Sequence, residues 1–209
     1  MNYGVVTGDV VNFTSLTVEN KEALITKTSA LIKSWVSRPE YAEIFRGDSF
    51  QLLFDNVNDT LKRSIQLRCW FKQHPEEKPG LSMDARISVG FGTIDYFGNS
   101  VLDADGEAFH LSGRVFDDMK DTQEHFQVSS NNPVLNEQLK IILTLANIII
   151  SNWTKNQAEV IFLLLEGKTQ QEMADELKIA QSAVNNRIKL ARWKEIDKTM
   201  RYIASLIKD

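Results

Sequence analysis

The sequence predicts an α+β protein, a ferredoxin-like sandwich over residues 1–132 followed by an all-helical domain. Three observations predict it. Strand-like and helix-like segments follow one another as β-α-β-β-α-β-α-β up to residue 130, a hairpin signal falls between two helical crossovers, and no strand pattern occurs after Pro133.

Residues 3–9 read as a short strand ending at an acidic side chain, Asp9. Over 19–36, Leu24, Ile25, Leu31, Ile32 and Trp35 recur near the helical repeat. Two short extended runs, 41–46 and 49–54, flank Gly47-Asp48, and the alternation of Phe50, Leu52 and Phe54 makes them a hairpin. Leu61, Ile65, Leu67 and Trp70 mark a second amphipathic helix over 58–73, ended by the breakers of His74-Pro-Glu-Glu-Lys-Pro-Gly80. A long strand over 83–94 carries Ile87, Val89 and Phe91 on one face, thinned by Gly90 and Gly92. Residues 105–120 are helical and 125–130 form a last strand. The domain boundary falls at 131–136, around Asn131-Asn-Pro133. Residues 135–152 make a connecting helix apolar on most sides, which implies burial against a partner or another domain. Residues 153–209 are helical throughout.

A composition of 43% hydrophobic residues with 10 Gly and 4 Pro excludes disordered and collagen-like classes. The longest apolar run, 141–150, is interrupted by Thr144 and Asn147 and falls short of the ~20 residues of a membrane span. No basic-then-apolar leader opens the chain, and one cysteine, Cys69, makes neither a disulfide nor a cysteine-rich zinc site. A cytoplasmic protein with no membrane partner is expected. The net charge of −4 hides an asymmetry: residues 168–209 carry nine Lys/Arg against six Asp/Glu, and all four charges within 180–194 are positive. A polyanion would therefore meet the C-terminal end.

That end has the pattern of a helix-turn-helix over 153–209. Ala158, Ile161, Leu164 and Leu165 pack one helix that stops at Gly167. Thr169-Gln-Gln-Glu172 is a capping box opening the next. After the turn Lys178-Ile-Ala180 comes a helix over 181–191 with Val184, Ile188 and Ala191 buried. Its other face offers Gln181, Ser182, Asn185, Asn186 and Lys189 to base edges, with Arg187 and Arg192 for phosphates and Thr169 at the preceding helix start. Ala180 is a poor N-cap. The segment resembles the helix-turn-helix of sigma-factor region four. The following Ile196, Met200, Ile203 and Ile207 fit either a two-helix seam or core packing.

Three N-terminal pieces recur together. Asp9 lies in Gly8-Asp-Val-Val-Asn-Phe-Thr, Asp48 in Arg46-Gly-Asp-Ser-Phe50, and His110 and Arg114 one turn apart in Gly106-Glu-Ala-Phe-His-Leu-Ser-Gly-Arg114. A strand-end and a hairpin carboxylate together suit Mg²⁺ on a triphosphate, and a facing arginine suits charge on a transferring phosphorus. With Arg86-Ile-Ser-Val-Gly-Phe-Gly92 as central strand, these pieces resemble class III nucleotidyl cyclases over residues 3–120. The whole layout resembles the SatD family, a short cyclase-like domain followed by a helix-turn-helix.

The cyclase resemblance implies Asp9 and Asp48 as ligands for Mg²⁺ or Mn²⁺, Asp103 as the residue reading the nucleotide base, and Arg114 as the phosphate-stabilising group. It also implies a site completed in a homodimer. The chain departs from it at Ile44, where the family has a base-reading lysine, and at His110, where it has an asparagine. Three readings follow. One is a regulator bound to double-stranded DNA whose degenerate cyclase-like domain dimerises or senses a nucleotide or metal. The second is a nucleotidyl cyclase, or another enzyme of nucleoside triphosphates, with a regulatory helical domain. The third is an interaction adaptor with both sites degenerate.

Overall fold

Alternation of β-branched and small residues extends the first strand, β1 (Tyr3–Val11), two residues beyond Asp9, until Asn12 turns the chain at φ 63°. The structure, a computed structural model, describes residues 3–122 and 124–208. α1 (Val18–Lys33) starts where the Thr17 side chain accepts from the Asn20 amide. β2 (Ala42–Phe45) and β3 (Ser49–Phe54) form the expected hairpin, whose turn places both Arg46 and Gly47 at positive φ. α2 (Val57–Lys72) is capped by Asn56, and β4 (Asp84–Gly92), α3 (Glu107–Asp118) and β5 (Phe126–Ser129) complete the body.

The sheet order is β2-β3-β1-β4-β5. β1 runs antiparallel to β3, from Gly4↔Phe54 to Asp9↔Ser49, and to β4, from Tyr3↔Gly92 to Val11↔Asp84. The first four strands thus have the split β-α-β order with every neighbour antiparallel, and β5 adds a parallel edge to β4. The helices flank both sheet faces rather than one, because successive strand residues are apolar on both sides. Val6, Val10 and Leu52 meet α1 and α2, while Val5 and Leu53 meet Ala108 and Phe109 of α3. Gly90 permits α3 to lie this close: a Cβ there would stand 2.2 Å from the Ala108 carbonyl oxygen.

α4 (Pro133–Ser151) packs Leu139, Leu143, Ala146 and Ile150 onto the body. It is longer than the apolar run alone, so by length and composition it would reach across a membrane. One side, however, belongs to a buried ionic cluster. Arg68 of α2, with no exposed surface, donates to both Asp84 carboxylate oxygens (2.9 and 2.6 Å), to Asn147 Oδ1 (3.0 Å) and to Ser151 Oγ (3.1 Å). Lys72 Nζ stands 3.2 Å from Asp84 and donates to the Ser151 carbonyl, and His125 Nδ1 lies 3.2 Å from Asp84. Burial alone would raise the Asp84 carboxyl, but the charge and hydrogen bonds of Arg68, helped by His125 and Lys72, hold it well below the usual carboxylate range.

Beyond α4 come α5 (Lys155–Leu165), α6 (Gln170–Leu177), α7 (Gln181–Leu190) and α8 (Trp193–Lys208). Ile196, Met200, Ile203 and Ile207 of α8 are buried in the same cluster as the sheet, so their spacing is core packing and not a two-helix seam. α6 and the start of α7 rest on a small cluster of Val160, Leu163, Met173, Ala174 and Val184, while Ile188 and the Ala191 that follows α7 reach the large core.

Candidate functional site

At the end of β1, Asp9 faces the α3 side of the sheet. Its register partner Arg86 grips it with two hydrogen bonds, Nε at 3.2 Å and Nη2 at 2.5 Å, both side chains about four-fifths covered. Asp48 is the backbone neighbour: its carbonyl accepts from the Val10 amide at 3.0 Å. The two carboxylates nonetheless line different spaces. Asp9, Arg86, Asn12, Thr122 and His125 border an open cavity of about 270 Å³. Asp48 borders an apolar cleft between α1 and the hairpin of about 10 Å³, room for one water at most.

His110 is exposed and lies 2.9 Å from Asp105, a pair that holds the 93–106 loop against the start of α3. Asp103 accepts from Ser100 Oγ at 3.2 Å in that loop. Arg114 is exposed and makes no ion pair among the described residues. The five residues are therefore split between the two ends of the sheet. Asp9 and Asp48 lie where β1 ends, whereas Asp103 and His110 follow Gly92, which the register sets beside Tyr3, and Arg114 lies further along α3. Among the described residues, no three His, Cys, Asp or Glu side chains cluster as a metal would require. A divalent cation does not fit this arrangement, since Arg86 already supplies the positive charge that the Asp9 carboxylate would otherwise take from it. Arg86 is the residue the sequence pattern missed; only the β1–β4 register puts it opposite Asp9.

The helical end gathers its residues more closely. Gly167 at φ 88° ends α5, and the Thr169 hydroxyl is committed to capping α6: it accepts from the Glu172 amide and donates to the Glu172 carboxylate. Backbone and side-chain hydrogen bonds from Thr169 hold the Glu172 carboxyl below its usual value. Lys178 closes α6 in the left-handed region, φ 55°, which turns the chain sharply into α7. Ala180 supplies no side-chain cap to α7. On α7, Val184 is buried while Gln181, Ser182, Asn186 and Lys189 are exposed and Asn185 is half-buried. Arg192 is exposed just past the helix end. Arg187 is partly covered and stands 3.6 Å from Glu159 of α5, so it braces α7 on α5 rather than pointing free. No acidic residue lies on α7.

A further cavity of about 290 Å³ opens where α2 meets α5 and α8, lined by Leu61, Ile65, Leu165, Trp193, Met200 and Ala204 beneath a charged rim. It contains none of the candidate catalytic, nucleotide, metal or DNA-contact residues.

No family model and no curated protein matches the chain. Among solved structures, it is similar to two chains described as a bacterial light-regulated adenylyl cyclase, each at 16% identity. One match has a TM-score of 0.41 and covers 61% of this chain and 75% of that one; the other has a TM-score of 0.36 and covers 62% and 43%. Superposition this loose leaves the assignment to the residues themselves.

Proposed function

We propose that this chain is a DNA-binding regulator in which α6 and α7 form a helix-turn-helix and α7 enters a major groove. The observation that carries the reading is the face of α7. Amide, hydroxyl and ammonium groups of Gln181, Ser182, Asn186 and Lys189 stand exposed together, without an acid, on a helix whose opposite side is locked by Val184. Asn and Gln suit the N6/N7 edge of adenine, and Lys189 and Arg192 suit guanine or phosphate. The uncapped start of α7 leaves its first amides open to a phosphate. In this reading the role of the α+β body is sensing and pairing rather than turnover.

Selection from a randomised duplex library at low salt tests this. A motif should be enriched. Asn186→Ala or Gln181→Ala should cost ~1–3 kcal/mol on that motif and relax one position, whereas Arg192→Ala should weaken all sequences alike and lower the salt slope by about one. No enrichment and no binding at low salt would overturn the reading.

A nucleotidyl cyclase is the second reading. It is favoured by the adjacency of Asp9 and Asp48 in the backbone and by the unpaired, exposed Arg114, and opposed by the Arg86 clamp. Cyclic product from ATP or GTP with Mn²⁺, abolished by Asp9→Ala, would establish it in place of the first.

A further inference from the structure

α4 carries a second apolar stripe on the side turned away from the sheet. Val134, Ile141, Leu145 and Ile148 are between 58% and 72% exposed. With Gln138 and Asn152, also exposed, they follow one another at alternating steps of four and three residues. That is the 3.5-residue period of a helix-on-helix seam, in which each side chain enters a hole on a facing helix. No charged residue occurs from Ile141 to Thr154.

We infer that this stripe pairs, parallel and in register, with the same stripe of a second copy of the chain. The inference deepens the DNA reading, by naming the surface that sets two reading helices side by side, and rests on it only for that consequence. Three points favour a second copy. The period calls for a helix as occupant, and a copy brings a matching one at equal concentration. Helix α4 has one acid, Glu137, and one base, Lys140, on a chain of net charge −4, so an anionic lipid surface gains nothing electrostatically.

The third point is the amide of Gln138. Parallel pairing sets Gln138 against Gln138, where each donates to and accepts from its twin. Antiparallel pairing sets it against Ile148, leaving it without a partner. Asn152 does not discriminate, since its Nδ2 already donates to the Ile148 carbonyl at 2.7 Å. The four apolar side chains leave on the order of 450 Å² open per chain, so pairing withdraws roughly 900 Å² plus flanking polar surface, the low end for a specific interface. A micromolar dimer is the expected strength.

Sedimentation equilibrium of the full chain without DNA, from about 1 to about 500 µM, reads the dissociation constant directly. Leu145→Lys with Ile148→Lys, both at exposed positions, should weaken dimerisation at least about a hundredfold and leave the circular dichroism spectrum unchanged. Leu145→Cys should form a disulfide with its own copy on mild oxidation; the native Cys69 is fully buried, with its thiol pushed far up by burial, and stays silent. A monomer at the highest concentration, or a dimer untouched by the double lysine variant, overturns the inference. So does a dimer that Leu145→Cys does not crosslink, which would exclude the parallel register. Co-sedimentation with phosphatidylglycerol vesicles that the lysines abolish would give the stripe to lipid instead. Because the measurement contains no DNA, a failed dimer leaves the α7 reading standing, and a dimer that binds no DNA refutes the α7 reading alone.

Discussion

Asp84→Asn isolates the link between the sheet and α4. Asp84 is 4% exposed and is the anion for Arg68, which has no exposed surface, and for Lys72, at 8%. The substitution keeps the volume and removes the charge, stranding two cations in the interior. Removing one partner of a buried ion pair costs about 3–5 kcal/mol, whereas replacing the pair with apolar side chains of similar volume costs far less or nothing. At ~2–4 °C per kcal/mol for a chain of this size, the expected fall in Tm is roughly 6–20 °C.

The pH dependence has a definite sign. The folded-state pKa of Asp84 lies below its unfolded value, so its contribution is complete above about pH 4 and is lost as the pH falls through the acid range. Urea unfolding followed by circular dichroism, for the parent, Asp84→Asn and the triple variant Arg68→Met/Lys72→Met/Asp84→Leu, measures all of this. A single variant within about 1 kcal/mol of the parent, or a triple variant as unstable as the single, would refute the reasoning.

Gly90→Ala should destabilise by about 3 kcal/mol or more and lift α3 from β4, because the new methyl meets the Ala108 carbonyl oxygen and the Ser112 amide, which cannot yield; thermal unfolding reads it. Lys178→Gly should stabilise by up to ~1 kcal/mol, since only the left-handed strain of a side-chain-bearing residue is removed. Arg86→Gln should release the Asp9 carboxylate, and calorimetric titration with Mn²⁺ should show tighter binding than in the parent; unchanged heats would mean that Arg86 is not what keeps the cation out. Arg187→Ala should cost less in DNA affinity than Arg192→Ala, because Arg187 already engages Glu159; an equal loss in a gel-shift titration would count against that role.

The body was legible wherever one periodicity ruled. Phe50, Leu52 and Phe54 alternate and Gly47 admits the positive φ of the turn, so the hairpin ends within a residue of its expected limits. The capping box at Thr169 likewise marks a real helix start. What stayed hidden depends on contacts distant in sequence. Arg68 reads as a solvent charge on an amphipathic helix until Asp84 and Asn147 surround it. Asp9 reads as a free strand-end carboxylate until the register sets Arg86 across from it. That α4 is apolar on most sides was visible, and with it the need for burial against a partner or another domain; the sheet body supplies the burial of Leu139, Leu143, Ala146 and Ile150.

The footing of α6 and α7 has a consequence for motion. The large core that joins sheet, α4 and α8 has to be given up as a unit, and it reaches the α7 end through Ile188 and through Ala191, whose carbonyl accepts from Trp153. α6 and the start of α7 lean instead on the small cluster around Met173, Ala174 and Val184. Amides of α6 and of the first turns of α7 should therefore exchange with deuterium through openings that leave the strands protected. On the DNA reading, such openings would let the pair settle to the contour of a duplex while its scaffold stays rigid.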